Sequence, residues 1–164
     1  MARQIWQKRV RSLMRRLPLL VAISFRIWRI FQPKVTLGAV GILFDGEGRV
    51  LLVEHALHPK TPWGLPGGWV DRGEEPAEAV CRELREELSI HATVTQVILT
   101  GSPFPNHLDI AFLCHTDDPI GTLSYELIDY AWFKVEDIPR LLSFHYQAIH
   151  QAISLLQDTP HDRN

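Results

Sequence analysis

The chain has 164 residues, 46% of them hydrophobic, 22% charged and 9% aromatic, with 17 Lys and Arg against 19 Asp and Glu. That composition excludes a disordered or fibrous chain, and the length admits one ordinary domain but not two. Cys81 and Cys114 are too few for a disulfide scaffold or a Cys-rich zinc module, and they fit a reducing, cytoplasmic setting.

The near-neutral total hides a split. Residues 1–34 hold nine basic residues and no acid, leaving eight of the 17 Lys and Arg to face all 19 acids in the remainder. The pattern is that of a basic extension (residues 1–33), an acidic domain (34–157) and a short polar tail (158–164). The most apolar stretch, residues 17–25, is interrupted by Pro18 and followed by Arg26 and Arg29, whereas a spanning helix needs roughly 20 apolar residues. A secretory signal is disfavoured because no small-residue cleavage site follows, while an Arg-rich organelle transit peptide stays open. At about 100° per residue, Trp6, Val10, Leu13, Leu17, Val21, Trp28 and Phe31 share one side of a helix. Lys8, Arg11, Arg15, Arg26 and Arg29 gather on the other, so a basic amphipathic N-terminal helix is expected, kinked or split at Pro18. It either packs on its own domain or a second subunit, or makes peripheral contact with an anionic membrane through residues 1–31. Nothing else in the sequence points to nucleic acid as its partner.

In the acidic part, residues 35–44 alternate small and β-branched side chains and read as a strand. Asp45-Gly46-Glu47-Gly48 is a hairpin turn, and residues 50–53 form the return strand. A polar loop covers 55–62, and Trp63-Gly64-Leu65-Pro66-Gly67-Gly68 reads as a rigid turn. Residues 76–88 form a helix with Pro at an early position and acids in its first turn. Strands are expected at 92–99, 108–115 and 130–135, a Pro-rich loop at 101–106, a short turn at 136–140 and a closing helix at about 143–156. Interspersed strands and helices argue for a mixed α/β layered domain.

The helix over 76–88 has an apolar face of Ala77, Val80, Leu84 and Leu88. Glu83, Glu86 and Glu87 lie together on the other side, because positions three and four apart are neighbours on a helix. Three carboxylates in one patch repel one another and are tolerated when a cation sits among them. Hard oxygen donors suit Mg²⁺ or Mn²⁺. A solvated charged face, offset by Arg82 and Arg85, is the plainer alternative.

The residues ahead of the helix weigh on that choice. Gly68, five residues, Glu74, seven residues, then Arg82-Glu83-Leu84-Arg85-Glu86-Glu87-Leu88-Ser89-Ile90 resembles the Nudix box. Every fixed position matches except Ser89, which stands where the family usually has glycine. A left-handed backbone is wanted at that helix exit, so serine there costs about 1 kcal/mol if the geometry is kept. Trp63 to Gly68 is also similar to the family's approach to the box, and the resemblance covers about residues 35 to 157.

What the resemblance implies is a Nudix-type α/β/α sandwich with a mixed sheet, preceded here by the basic N-terminal helix. It implies a hydrolase that uses Mg²⁺ or Mn²⁺ and water to cleave a nucleoside diphosphate linked to X, such as ADP-ribose or a nucleotide sugar. A pyrophosphohydrolase of oxidised nucleoside triphosphates and a non-catalytic nucleotide sensor are the alternatives. By position, Glu86 and Glu87 are expected metal ligands, Glu83 a ligand or the base, the Gly68 carbonyl a further ligand, and Arg82 an orienting partner of Glu74. A further acid often comes from outside the box. Glu126 is the first candidate and Asp129 the second.

Substrate-binding candidates are Trp63 and Phe104 for stacking on a base, with Trp63 equally a core residue. Pro105 lies 15 residues after Ile90, a spacing similar to that of ADP-ribose pyrophosphatases. Pro103-Phe104-Pro105 is also similar to part of the NADH pyrophosphatase signature, although that group's four-Cys zinc module is absent from this sequence. His55, His58 and His107 border the expected cleft as candidate phosphate contacts. Many members of the family dimerise, so a homodimer is admitted.

Overall fold

The structure, a computed structural model, describes residues 18–57 and 60–158. Residues 1–17 of the expected N-terminal helix, His58 and residues 159–164 of the expected tail lie outside the described residues. The chain divides into two compact units at residue 34. The described part of the first is one helix, α1 (Pro18–Ile30). No helix among the described residues is long and apolar enough to cross a membrane.

The second unit is a mixed α/β fold. Its elements are β1 (Thr36–Ile42), β2 (Val50–His55), β3 (Trp63–Gly64), β4 (Gly67–Trp69), α2 (Pro76–Leu88), β5 (Thr93–Gly101), β6 (His107–His115), β7 (Leu127–Phe133), a 3₁₀ turn (Val135–Asp137) and α3 (Ser143–Asp158). One sheet has the order β4-β1-β6-β5 and the other β3-β2-β7. The β1–β6 pair is parallel and every other named pair antiparallel, so the sheet system is mixed.

The Asp45 turn joins β1 to β2 and carries the chain from one sheet to the other. Its carboxylate accepts from the N–H groups of Glu47 and Arg49 and pairs with the Arg49 guanidinium at 2.7 Å. Gly48 takes φ 76°, which glycine adopts without strain.

Alternation along the central strands builds two cores. Ala39 and Leu43 of the first hairpin arm and Leu51 and Val53 of β2 join Val80, Leu84 and Leu88 of α2. Val40, Ile42, Val50 and Leu52 point the other way and join Phe144, Ala148, Ile149 and Ala152 of α3. Strands buried on both faces are near-continuously apolar, as β1 and β2 are. Each fully buried Leu or Ile contributes about 1.5–3 kcal/mol. At Gly41 a Cβ would lie 3.2 Å from Leu84 and 3.3 Å from Val80, so the missing side chain is what lets α2 sit close on β1.

The observed α2 has the bounds expected from the sequence. Segment 63–68, read there as a turn, instead contains the short strands β3 and β4, which exist by pairing with β2 and β1. Ser89 closes α2 in the left-handed region, φ 56° and ψ 37°, with its N–H on the Arg85 carbonyl. Its hydroxyl donates to the Thr122 carbonyl at 2.8 Å, a compensation that glycine lacks.

Candidate active site

Two glycines bring β4 against the polar side of α2. Gly67 has φ 140°, and a Cβ there would strike the Ala39 carbonyl on β1. At Gly68 a Cβ would come within 2.6 Å of the Glu83 carboxyl. Bare backbone at both positions allows β4 to lie between β1 and the acidic face of the helix.

One guanidinium organises that face. Arg82 donates from Nε to Glu74 Oε1 at 2.9 Å and from Nη2 to Glu74 Oε2 at 3.0 Å, a two-point clamp. It also reaches Glu83 Oε1 at 2.8 Å, Glu86 Oε2 at 3.4 Å and the Trp69 carbonyl at 3.0 Å. Arg82, with help from the Asp71 N–H, pulls the Glu74 carboxyl down to about 2. The Arg82 guanidinium is in turn held charged, chiefly by Glu74. The expected Arg82–Glu74 partnership is therefore present.

Glu87 has a different environment. It is 5% exposed, and its Oε2 accepts from the Gly67 N–H at 2.9 Å. Burial pushes its carboxyl up to about 8, and repulsion from Glu83, Glu126 and Glu86 adds to the push. Burial also raises Glu83, against the pull of Arg82 and with the further push of Glu86 and Glu126. Two neighbouring carboxyls are thus raised, first by burial and then by like charge.

Among the described residues no group of three or more acidic, imidazole or thiol side chains is arranged to hold a metal ion. Glu83 and Glu86 share Arg82, and Glu87 holds a backbone N–H. The donor chemistry nonetheless fits Mg²⁺ or Mn²⁺. Both take hard oxygens, and Mg²⁺ keeps several of its waters and needs only one or two carboxylates.

The acids open onto a cleft of about 730 Å³, within the range of small-molecule sites. His55, Leu57, Trp69 and Tyr125 line it together with Gly67, Gly68, Glu83, Glu86, Glu87 and Glu126. The cleft thus brings together the expected Gly68, Glu83, Glu86, Glu87, Glu126 and His55. Asp129, on β7, pairs in register with Glu54 of β2 and is not part of the lining.

The expected aromatic contacts fall differently. Trp63 packs edge-on to Phe133, ring centroids 5.1 Å apart, against the α3-side core, and does not line the cleft. Phe104 stacks on His107 at 4.3 Å, and Pro105 sits exposed in the same loop. His107 is not a phosphate contact, because it is 5% exposed and fully engaged within the fold. Its Nδ1 pairs with Thr36 Oγ1 at 2.9 Å and its Nε2 with Asp109 Oδ1 at 2.7 Å.

Sequence reasoning missed Trp69 and His145. Trp69 is 57% exposed, lines the cleft, and meets the edge of the buried His107 at 4.9 Å. His145 on α3 accepts the Leu65 N–H through Nδ1 at 3.1 Å. It thereby fixes the loop that delivers Gly67 to Glu87. The signal for Trp69 was its place directly after Gly68. For His145 the sequence carried none.

A NUDIX domain family model matches residues 34–152. The NAD-capped RNA hydrolase NudC of Mycobacterium tuberculosis (strain H37Rv) is 30% identical over 116 residues, which are 68% of this chain and 36% of that protein. The chain therefore spans about a third of the length of the curated relatives it matches. Among solved structures, an ADP-ribose pyrophosphatase from Streptococcus suis superposes with TM-score 0.63 at 21% identity, covering 81% of this chain and 97% of that one. A UDP-X diphosphatase superposes with TM-score 0.65 at 19% identity, covering 93% and 83%. The MutT protein of Methanosarcina mazei Go1 gives 0.66 at 21%, covering 78% and 99%. At these identities the structural matches establish the fold, and they agree with the family match in naming it. The chain belongs to the NUDIX family.

Proposed function

We propose that the chain is a divalent-metal-dependent hydrolase of a nucleoside diphosphate linked to a second group, of the ADP-ribose or nucleotide-sugar type. The observation that carries this reading is the convergence of Glu83, Glu86, Glu87 and Glu126 on one cleft, with Glu87 buried and pushed up to about 8. Four acids facing an anionic diphosphate repel it unless cations intervene, so the site makes chemical sense only with metal bound. The names of the relatives support the substrate class, since NAD-capped RNA, ADP-ribose and UDP-X each carry a diphosphate between a nucleoside and another group.

In this reading Glu86, Glu87 and the Gly68 carbonyl would hold the cation. When bound, it neutralises the diphosphate and makes a bound water more acidic. Glu83 either completes that set or takes the proton of the attacking water. The water oxygen bonds to one phosphorus, the bridging P–O bond breaks, and the second phosphate leaves. Arg82 orients Glu83 and Glu86 and touches no substrate. Glu126 enters from the loop ahead of β7. Trp69 and Tyr125, both exposed along the cleft, are the rings available to a planar base.

Two variants test the assignment. Glu86→Gln and Glu126→Gln are expected to lower kcat by on the order of 100-fold and 10-fold, respectively, with the melting temperature kept. Unchanged turnover in Glu86→Gln would refute the site. Binding of nucleotide without any turnover by the unaltered chain would make it a sensor instead.

A further inference from the structure

We propose that α1 docks the chain on an anionic lipid surface, lying in the headgroup region. The inference stands apart from the catalytic reading and rests on charge and apolar surface in the other unit.

Helix α1 has the sequence PLLVAISFRIWRI. Among its residues only Ser24, Arg26 and Arg29 carry polar side chains, and the Ser24 hydroxyl is turned back onto the Val21 carbonyl at 2.8 Å. Arg26 and Arg29 are three apart and so share one edge. The other sides present Leu19, Ile23, Phe25, Ile27, Trp28 and Ile30, all exposed. A helix this apolar around its circumference is stable only when something apolar covers it. It is also too short to span a bilayer, which leaves the interfacial mode.

Charge identifies the covering surface. Residues 1–34 carry nine positive and no negative side chains, while the remainder carries eight against 19. A second copy of the same segment would bring two such positive sets together, which is repulsive. An RNA strand would match the charge but not the aliphatic Leu and Ile side chains. An anionic leaflet offers both an apolar layer and negative headgroups, and each basic residue near it contributes roughly fivefold in partitioning.

The experiment is flotation of the full chain with vesicles of phosphatidylcholine alone or with about 30% phosphatidylglycerol, at low and at high salt. The expected result is flotation with the anionic vesicles only, weakened by salt. Arg26→Glu/Arg29→Glu should lower partitioning by about 25-fold or more at unchanged melting temperature. Trp28→Ala, which alters no charge, should weaken it by a smaller factor, so the reading does not hang on one variant. No flotation, equal flotation with neutral vesicles, or indifference to the double charge reversal overturns the proposal. So does retention of a single-stranded RNA, or a concentration-dependent dimer, through Arg26 and Arg29 in a chain that does not float.

Discussion

Replacing Glu87 by Gln isolates the electrostatic tension of the site. In the metal-free protein this carboxyl is pushed up to about 8, from an ordinary value of 4.5. A raised carboxyl means that the folded chain holds a proton that the unfolded chain releases. The stabilisation is complete below the unfolded value and is lost as pH rises through the folded one. From about pH 6 to pH 8.5 the cost of this one group to the metal-free fold grows by on the order of 2–3 kcal/mol, on top of about 2 kcal/mol already lost by pH 6. Glutamine has the same shape, cannot ionise, and can still accept the Gly67 N–H. The variant is therefore expected to lack that decline and to melt several degrees above the parent at about pH 8.5 in chelator. At about pH 6 the gap should be roughly half as large, since the cost accumulates with each pH unit above the unfolded value and levels off above the folded one. Adding Mg²⁺ or Mn²⁺ should reverse the order at high pH, by stabilising the parent and not the variant. The assay is a melting curve against pH in both conditions. A variant that melts below the parent in chelator at high pH would refute the reasoning, because Glu87 would then be a stabilising charge.

Gly68→Ala would set a Cβ within 2.6 Å of the Glu83 carboxyl, and kcat is expected to fall roughly 10- to 100-fold as that side chain moves. A steady-state comparison at matched melting temperature checks it. Trp69→Ala is expected to raise KM by about 2- to 10-fold with little change in kcat, because a ring face is lost at about 0.5–1.5 kcal/mol. Trp63→Phe should leave KM unaltered. Ser89→Gly relieves a left-handed serine worth about 1 kcal/mol but forfeits the hydroxyl bond to Thr122, worth about 0.5–1.5 kcal/mol, so stability measured by denaturant should change little.

The parts legible in the sequence were those fixed by local pattern. Helix α2 could be read because Pro76, the apolar spacing and the carboxylate patch all act within 13 residues. β1 and β2 were likewise legible, as apolar runs flanking the Asp45 hairpin turn. Strands β3 and β4 were not legible, since two and three residues of Gly-rich chain become strands only through partners elsewhere. The same limit hid Trp69 and left Trp63 open between cleft and core. Whether Trp63 or Trp69 faces the cleft depends on how those short strands pair, and nothing near either residue encodes it. His107 looked like a loop residue at the cleft edge. Its burial follows from Thr36, 71 positions away, and from Asp109 on the same strand. Glu126 was recoverable because the resemblance directs attention to acids outside the box, while its approach to Glu83 and Glu87 is a property of the fold alone.

In the proposed reaction four carboxylates and a cation hydrolyse a diphosphate in this cleft. The most direct measurement is product formation from ADP-ribose, nucleotide sugars, NADH, NAD-capped RNA and nucleoside triphosphates, with Mg²⁺ or Mn²⁺ and with chelator. The expected result is metal-dependent cleavage within the diphosphate of at least one nucleoside-diphosphate compound, abolished by chelator and reduced about 100-fold in Glu86→Gln. Cleavage that persists in chelator, or no cleavage of any compound by a folded, metal-binding protein, would contradict it.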